Sequence, residues 1–347
     1  MADLAAVLPE TLERLETRQL IRALSEADPS FTFKHNLVQQ AAYESLLGAD
    51  RRGLHRTVGE TLEGAFGTRQ DEAAEILAGH FERAGEAAKA LHYLAIAGQQ
   101  AMRRFATTEA AELFARAMAL TGELPFDEPR LLSLAQQRGR ALELAGAYEQ
   151  AMKLYQELKA IGAERQAAQL QLAGIIGAAS LQAVPTPLFD PSQGIANAEL
   201  AVALAKTIGD PAGQAKAYWL KMLALSRVDP RTAVTAGEAS LELARRYGLR
   251  EQEAFTLNDI QSNYQVLGRT DRALQVLEEA RPIWTDLNNL PMLADNLAST
   301  AMLHAMLAQY DQGIDLSRQA LAISEQAGNL WGLSYSRIAI ALAHFVR

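Results

Sequence analysis

The sequence predicts an all-α solenoid of stacked helix pairs, and three observations carry that prediction. First, between Gly209 and Trp331 similar apolar-rich runs open at Asp210-Pro211, Arg250-Glu251, Leu290-Pro291 and Leu330-Trp331, 40 residues apart. Self-similarity at that period marks a repeat array in which each helix pair needs its neighbours to cover its apolar face. Second, small residues recur in register. Ala233, Ala273 and Gly313 form one column, and Ala196, Ala236, Val276 and Leu316 form another. Close crossing of helices requires such columns, because two backbones approach only where side chains are small. Third, 49% of the residues are hydrophobic but only 6% aromatic, so the apolar content is mostly Ala and Leu. Helix formers of this kind leave little for strands.

Each repeat then reads as a first helical run, a short break and a second run. The breaks are Val228-Asp229-Pro230, Gly268-Arg269-Thr270-Asp271 and Ala308-Gln309-Tyr310-Asp311. Upstream, 72–104 and 107–121 read as the start of the array, with breaks at Gly85 and Phe105-Ala106. A linker, Gly122–Pro129, precedes helices over 130–145 and onward from Tyr148-Glu149-Gln150-Ala151. The runs 164–183 and 192–208 form a further pair. Between them lies a loop over 183–194 with Pro185, Pro187 and Pro191, through which no helix runs. It reads as a surface insertion. As a lid on the array's groove, its apolar tip would be Leu188 and Phe189. Pro282 is expected to kink or shorten its helix near Trp284.

Residues 1–66 lack the period. Pro9–Leu24 reads as a helix, Asp28-Pro29-Ser30 as a turn and Phe31-Thr32-Phe33 as a short strand. Helices are expected over 33–47, with Leu37, Ala41 and Leu47 apolar, and over 54–66 after a break at Arg51-Arg52.

The stretch FKHNLVQQAAYESLL followed by RRGLHRTVGETLE (51–63) resembles a segment of bacterial STAND-type, AAA+-like ATPase signalling proteins. These carry a tetratricopeptide (TPR) region, often behind an adenylate/guanylate cyclase domain. HFERAGEAAKALHYLAIAGQQA (80–101) and TEAAELFARAMAL (108–120) are similar to that family's entry into its repeats. The resemblance implies a winged-helix remnant and connecting helix over 1–66. It implies a right-handed TPR-like α-α superhelix over 67–347 and an ATPase domain upstream as a partner.

No G-x-x-x-x-G-K-[ST] phosphate loop is present, so nucleotide hydrolysis is not carried over to this chain. The run from Trp331 to Val346 matches a first helix without its partner. The chain is therefore expected to be a fragment, with self-association through 331–346 as one way to cover that helix.

Other chemistry is not indicated. The net charge of −8 disfavours nucleic-acid binding through this chain. The pairs Arg51-Arg52, Arg103-Arg104 and Arg245-Arg246 read as solvated faces. Glu238 with Arg245-Arg246, and Asp271 with Arg272, read as ordinary surface charges. There are no cysteines, which fits a reducing cytoplasm. No signal peptide or membrane-length apolar run stands out. The six histidines show no metal-ligand spacing; His304 and His344 share the column of Tyr264 and read as fillers, and His80 and His92 receive no catalytic role. No catalytic, cofactor-binding or metal residues are nominated.

What remains is a surface. Counting back from the breaks at Gly268 and Ala308 nominates a groove of first-helix residues: Tyr218, Met222, Phe255, Asn258, Ser262, Asp295, Met302 and Tyr335. Such a lining suits an extended peptide or a partner helix. The expected function is a non-catalytic interaction and regulatory module of a multidomain ATPase, with a cyclase as the output the resemblance suggests. The alternatives are the effector-binding solenoid of a STAND-type transcriptional activator, or a self-associating scaffold.

Overall fold

The computed structural model describes residues 2–24 and 30–346, the side chains of 2–6, 330, 331, 342–344 and 346 excepted. The turn expected at Asp28-Pro29 lies outside the described residues, as do the side chains of Trp331, Leu342 and His344. The chain forms two compact units that divide between Phe126 and Asp127.

The N-terminal unit opens with α1 (Ala2–Thr17), followed by β1 (Ile21–Ala23) and β2 (Phe31–Phe33). These strands pair antiparallel, Ile21 opposite Phe33 and Ala23 opposite Phe31. The helix expected to reach Leu24 thus stops at Thr17, and Gln19 turns the chain with φ 58°. The strand was hidden in sequence because it is three residues long and owes its form to a partner ten residues on. Next come α2 (Asn36–Ser45) and α3 (Gly48–Phe66). Arg51-Arg52 lies inside α3 and is no break; Leu46 and Leu47, both extended, separate the helices instead. A 3-10 segment, Gly67–Ala73, leads into α4 (Ala74–Ala84), α5 (Ala87–Arg103) and α6 (Thr107–Leu120). Phe81, Tyr93, Leu94 and Phe114 form the buried centre of these three helices.

The second unit holds α7 (Glu128–Leu144), α8 (Tyr148–Arg165), α9 (Ala168–Ala183) and α10 (Pro191–Ile208), then α11 (Pro211–Leu225) and α12 (Pro230–Tyr247). It continues with α13 (Arg250–Val266), α14 (Thr270–Asp286), α15 (Leu290–Met306), α16 (Tyr310–Ala327) and α17 (Leu330–Val346). Each helix packs on its successor, and first helices also meet along the stack, α9 on α11, α11 on α13 and α15 on α17.

Several of these helices begin on one device, an Asp or Asn whose side chain accepts the N–H three residues on, with proline in the first turn. Asp190 accepts from Gln193 at 3.1 Å, Asp210 from Gly213 at 2.9 Å, Asp229 from Thr232 at 3.2 Å and Asn289 from Met292 at 3.3 Å. The cap satisfies an orphan donor, and proline's missing N–H costs nothing there. These caps also set the register. Asp190 to Asp229 is 39 residues, as is Asp210 to Leu249, whereas later starts are 40 apart. The column written as Ala196, Ala236, Val276 and Leu316 is therefore off by one at its first member. Ala196 is exposed, Ala236 and Val276 are buried, and the counterpart of Ala236 is Asn197. The other column needs no change: Ala233 and Ala273 are fully buried, and a Cβ on Gly313 would fall 2.9 Å from the Ala301 carbonyl.

Three turns after first helices use a left-handed residue, Gly146 after α7, Gly268 after α13 and Ala308 after α15. Pro282 does not shorten α14, which runs on to Asp286 with that proline exposed. The core of the later repeats gathers Met222, Leu257, Ile260, Tyr264, Leu277 and Trp284. Among the described residues no helix is long and apolar enough to cross a membrane.

Candidate interaction surface

First helices of successive repeats present residues at matching depths. Phe255, Asp295 and Tyr335 stand at one position of α13, α15 and α17, and Ser262 and Met302 at another, two turns further along. With the 39-residue step, their counterparts on α11 are Lys216 and Leu223. Between these two rows lie Trp219 on α11 and Asn258 and Asp259 on α13.

Polar side chains cross-link the row from helix to helix. Trp219 Nε1 donates to Asp259 Oδ2 at 2.8 Å, and Asn258 Nδ2 donates to Asp295 Oδ2 at 2.9 Å. Ser299 and the Tyr335 hydroxyl share a hydrogen bond of 3.1 Å. Behind this row sits Asn296, fully buried, which donates to Asn258 Oδ1 at 3.1 Å and to the Leu277 carbonyl at 3.0 Å. Arg281 of α14 completes the network, its Nε donating to Asn296 Oδ1 at 3.2 Å and its Nη2 to Thr300 Oγ1 at 3.0 Å. Aromatic rings lie alongside: Trp219 and Phe255 are 5.8 Å apart, and Phe255 meets the edge of buried Trp284 at 4.9 Å.

The electrostatics follow from this placement. Burial pushes the Asp259 carboxyl up to about 7, and the neighbouring Asp295 charge adds to it; the Trp219 and Asn258 donors pull the other way. The Tyr335 hydroxyl is likewise raised, by burial first and then by the charges of Asp295 and Asp259, against the Ser299 hydrogen bond. Burial lowers Arg281 from its ordinary value, opposed by Glu278. A buried carboxylate raised further by a neighbouring one forms a surface that favours a proton or a positively charged group.

The nominated residues divide on this surface. Tyr218, Phe255, Asp295, Met302 and Tyr335 are half-buried and Ser262 is exposed. Met222 is not on the face: it is 0% exposed, and a Cβ on Gly237 would lie 2.6 Å from its sulfur. Asn258 is buried too, and serves as the link between Asn296 and Asp295. For Met222 the reason is the one-residue register step, which turns α11 by ~100° relative to a strict 40-residue count. Counting 39 back from Asn258 arrives at Trp219 rather than Tyr218. Asp259, Asn296 and Ser299 lie outside the nominated set although each has a polar partner 36–40 residues away, and Arg281, whose partners are 15 and 19 residues away, carries no such signal.

The loop after α9 is fastened at both ends. Thr186 Oγ1 donates to the Leu181 carbonyl at 2.7 Å and accepts from the Leu188 N–H at 3.1 Å, and Asp190 N–H donates to the Gln182 carbonyl at 3.1 Å. The Phe189 ring sits 6.0 Å from the Arg227 guanidinium, just beyond α11. Some charges expected to be merely solvated join helices instead: Arg245 bonds Glu253 and Glu279, and Glu238 accepts from Tyr264, while Arg272 bonds Glu279 within α14. His304 is buried beside Gln309, in the column of buried Tyr264. Among the described residues no three His, Asp or Glu converge as metal ligands.

No family model matches the sequence, and no curated protein matches it. Solved structures do. One is a Signal Transduction ATPase with Numerous Domains (STAND) protein with a tetratricopeptide repeat sensor, from Pyrococcus horikoshii. It matches at a TM-score of 0.54 and 13% identity over 96% of this chain and 55% of its own. The chain thus spans about half the length of that protein. The apo form of RapI matches at a TM-score of 0.51 and 11% identity, over 74% of this chain and 97% of its own. At such identities the likeness concerns the fold, and the fold of this chain is a TPR-like α-α solenoid.

Proposed function

We propose that the chain is an interaction and regulatory module that receives a peptide or protein segment along its first helices. The observation that supports this most is the cross-linked row from Trp219 to Tyr335. It sets aromatic rings beside the Asp259 and Asp295 carboxylates on consecutive repeats, with Asp259 raised by burial and by its neighbour. Such a row accepts an extended segment, and it favours one with a Lys or Arg side chain over the carboxylates. Phe255, Asp295, Ser262, Met302, Tyr335 and Tyr218 would flank that segment, with Leu188 and Phe189 near one end. The likeness to a STAND protein with a repeat sensor supports an ATPase partner acting in cis, and the sequence resemblance implies that this ATPase lies upstream of a winged-helix remnant over 1–66. The cyclase output rests on the sequence resemblance alone, and the cytoplasmic setting on the lack of cysteines. Occupancy would act by binding one state of the solenoid better than another.

The test is a peptide array probed with the whole chain, followed by anisotropy titration of the tightest binder. Asp295→Asn with Tyr335→Ala should weaken it by at least about tenfold, the scale set by losing a charge-assisted contact and an aromatic anchor. Binding that ignores both changes would remove this face as the site.

A second reading has its own observation. Ile338 and Phe345 of α17 are 55% and 89% exposed, which favours association of two copies through that helix. Light scattering on Ile338→Glu with Phe345→Glu tests it: a dimer that becomes monomeric supports it, and a wild-type monomer excludes it.

A further inference from the structure

In the N-terminal unit two histidines that are 25 residues apart in sequence meet ring to ring. His55 of α3 and His80 of α4 place their Nδ1 atoms 3.1 Å apart, with ring centroids at 5.2 Å. The other nitrogen of His55, Nε2, shares a hydrogen bond of 2.9 Å with the Tyr43 hydroxyl of α2. One Nδ1 must accept while the other donates, so this contact exists only while at least one imidazole is neutral. Two imidazolium rings would set N–H against N–H and charge against charge. The helix tied on by Tyr43 buries none of its own residues.

We propose that the His55–His80 pair is a proton-operated latch, holding α3, and through Tyr43 also α2, on α4 near neutral pH and releasing them in mild acid. The surrounding charges favour release. On α4, Arg83 acts on both rings and adds positive charge. On α3, Arg51 covers the Tyr43 ring at 5.3 Å, and the Arg52 side chain runs beside Gly85. The carboxylates nearby are engaged elsewhere, Glu86 with Arg56 and Glu82 with Arg116 of α6. Burial is the first cause that holds both imidazoles below their ordinary value. For His55 the charges of His80 and Arg83 follow, and for His80 that of Arg83. The folded unit therefore binds fewer protons than the unfolded chain below about pH 6.5, and its stability falls as the pH drops from there.

Hydrogen exchange of the full chain, corrected for the intrinsic pH dependence, reads the latch directly. Peptides over 36–66 should exchange at least about fivefold faster near pH 5.5 than near pH 7.5, while peptides over 127–165 keep their protection. His80→Gln, which can share a hydrogen bond but cannot titrate, should remove the difference. Equal protection at both pH values in the wild type, or an undiminished difference in His80→Gln, overturns the proposal. Imidazole NMR of the wild-type protein gives a check that needs no variant: His55 and His80 should both titrate below the ordinary value, and titration of either above it overturns the latch.

Discussion

The Trp219 indole on α11 donates to the Asp259 carboxylate on α13 at 2.8 Å, so the carboxylate is held at the face by a neighbouring repeat rather than by its own. Its proton affinity is raised to about 7 by burial and by Asp295. Between about pH 4 and pH 7 the folded chain retains a proton that the unfolded chain has lost. The group's favourable contribution is complete below about pH 4 and is lost as the pH rises through 7. Asp259→Asn keeps an acceptor for Trp219 and removes the charge. It should raise stability by about 1 kcal/mol at pH 8, water screening the partly exposed carboxylate, and by less at pH 5. Urea unfolding at the two pH values checks this, and an equal effect at both would show that the charge is not the cause.

Asn296 is the hub of the buried polar network, and its loss would strand a cation. Asn296→Leu leaves Arg281 Nε without its acceptor in a site where burial already disfavours the charge. The expected cost is about 2–3 kcal/mol, the range for a buried charged donor left unpaired. Adding Arg281→Met removes the stranded group, and the double variant should regain at least half of the loss. A double variant no more stable than Asn296→Leu would mean that packing, not the unpaired guanidinium, set the cost.

These two cases show where the sequence was legible. The 40-residue period, the breaks and the buried columns of Ala233 and Ala273 followed from side-chain size and helical spacing, both local properties. The register was less so: Asp190-Pro191 and Asp229-Pro230 carry the 39-residue step in plain view, but only when read as caps rather than as breaks. Side-chain partnerships such as Trp219–Asp259 and His55–His80 are set by how one helix lies on the next. A shift of one residue turns a helix by ~100°, enough to exchange Tyr218 for Trp219 on the face.

Ala308 occupies a turn position that glycine fills elsewhere in the same array. Its φ is 61°, against 71° at both Gly146 and Gly268. A Cβ in the left-handed region costs about 1–2 kcal/mol, and glycine's freer unfolded chain returns up to about 1 of that. Ala308→Gly should thus stabilise the chain by about 0.5–1 kcal/mol. A raised urea midpoint with an unchanged slope checks it. Gly268→Ala, the reverse change one repeat earlier, should lower the midpoint by a similar amount.

One substitution made at two helical glycines should have opposite signs, because only one of them is a packing surface. Gly177 of α9 lies against the Tyr155 ring of α8, and a Cβ there would sit inside that ring. The ring cannot retreat easily. Its hydroxyl is anchored on Glu143 at 2.5 Å, and a Cβ on Gly139 would strike it from α7. Gly64 of α3 has nothing within 4 Å of the same position and is exposed. Gly177→Ala is therefore expected to cost about 1–3 kcal/mol through overpacking. Gly64→Ala should gain about 0.5–1 kcal/mol from helix propensity. Exchange protection of α8–α9 in the first variant and of α3 in the second separates the two effects. A neutral Gly177→Ala would mean that Tyr155 leaves its place, which loss of the Glu143 hydrogen bond would reveal as a lowered tyrosine titration.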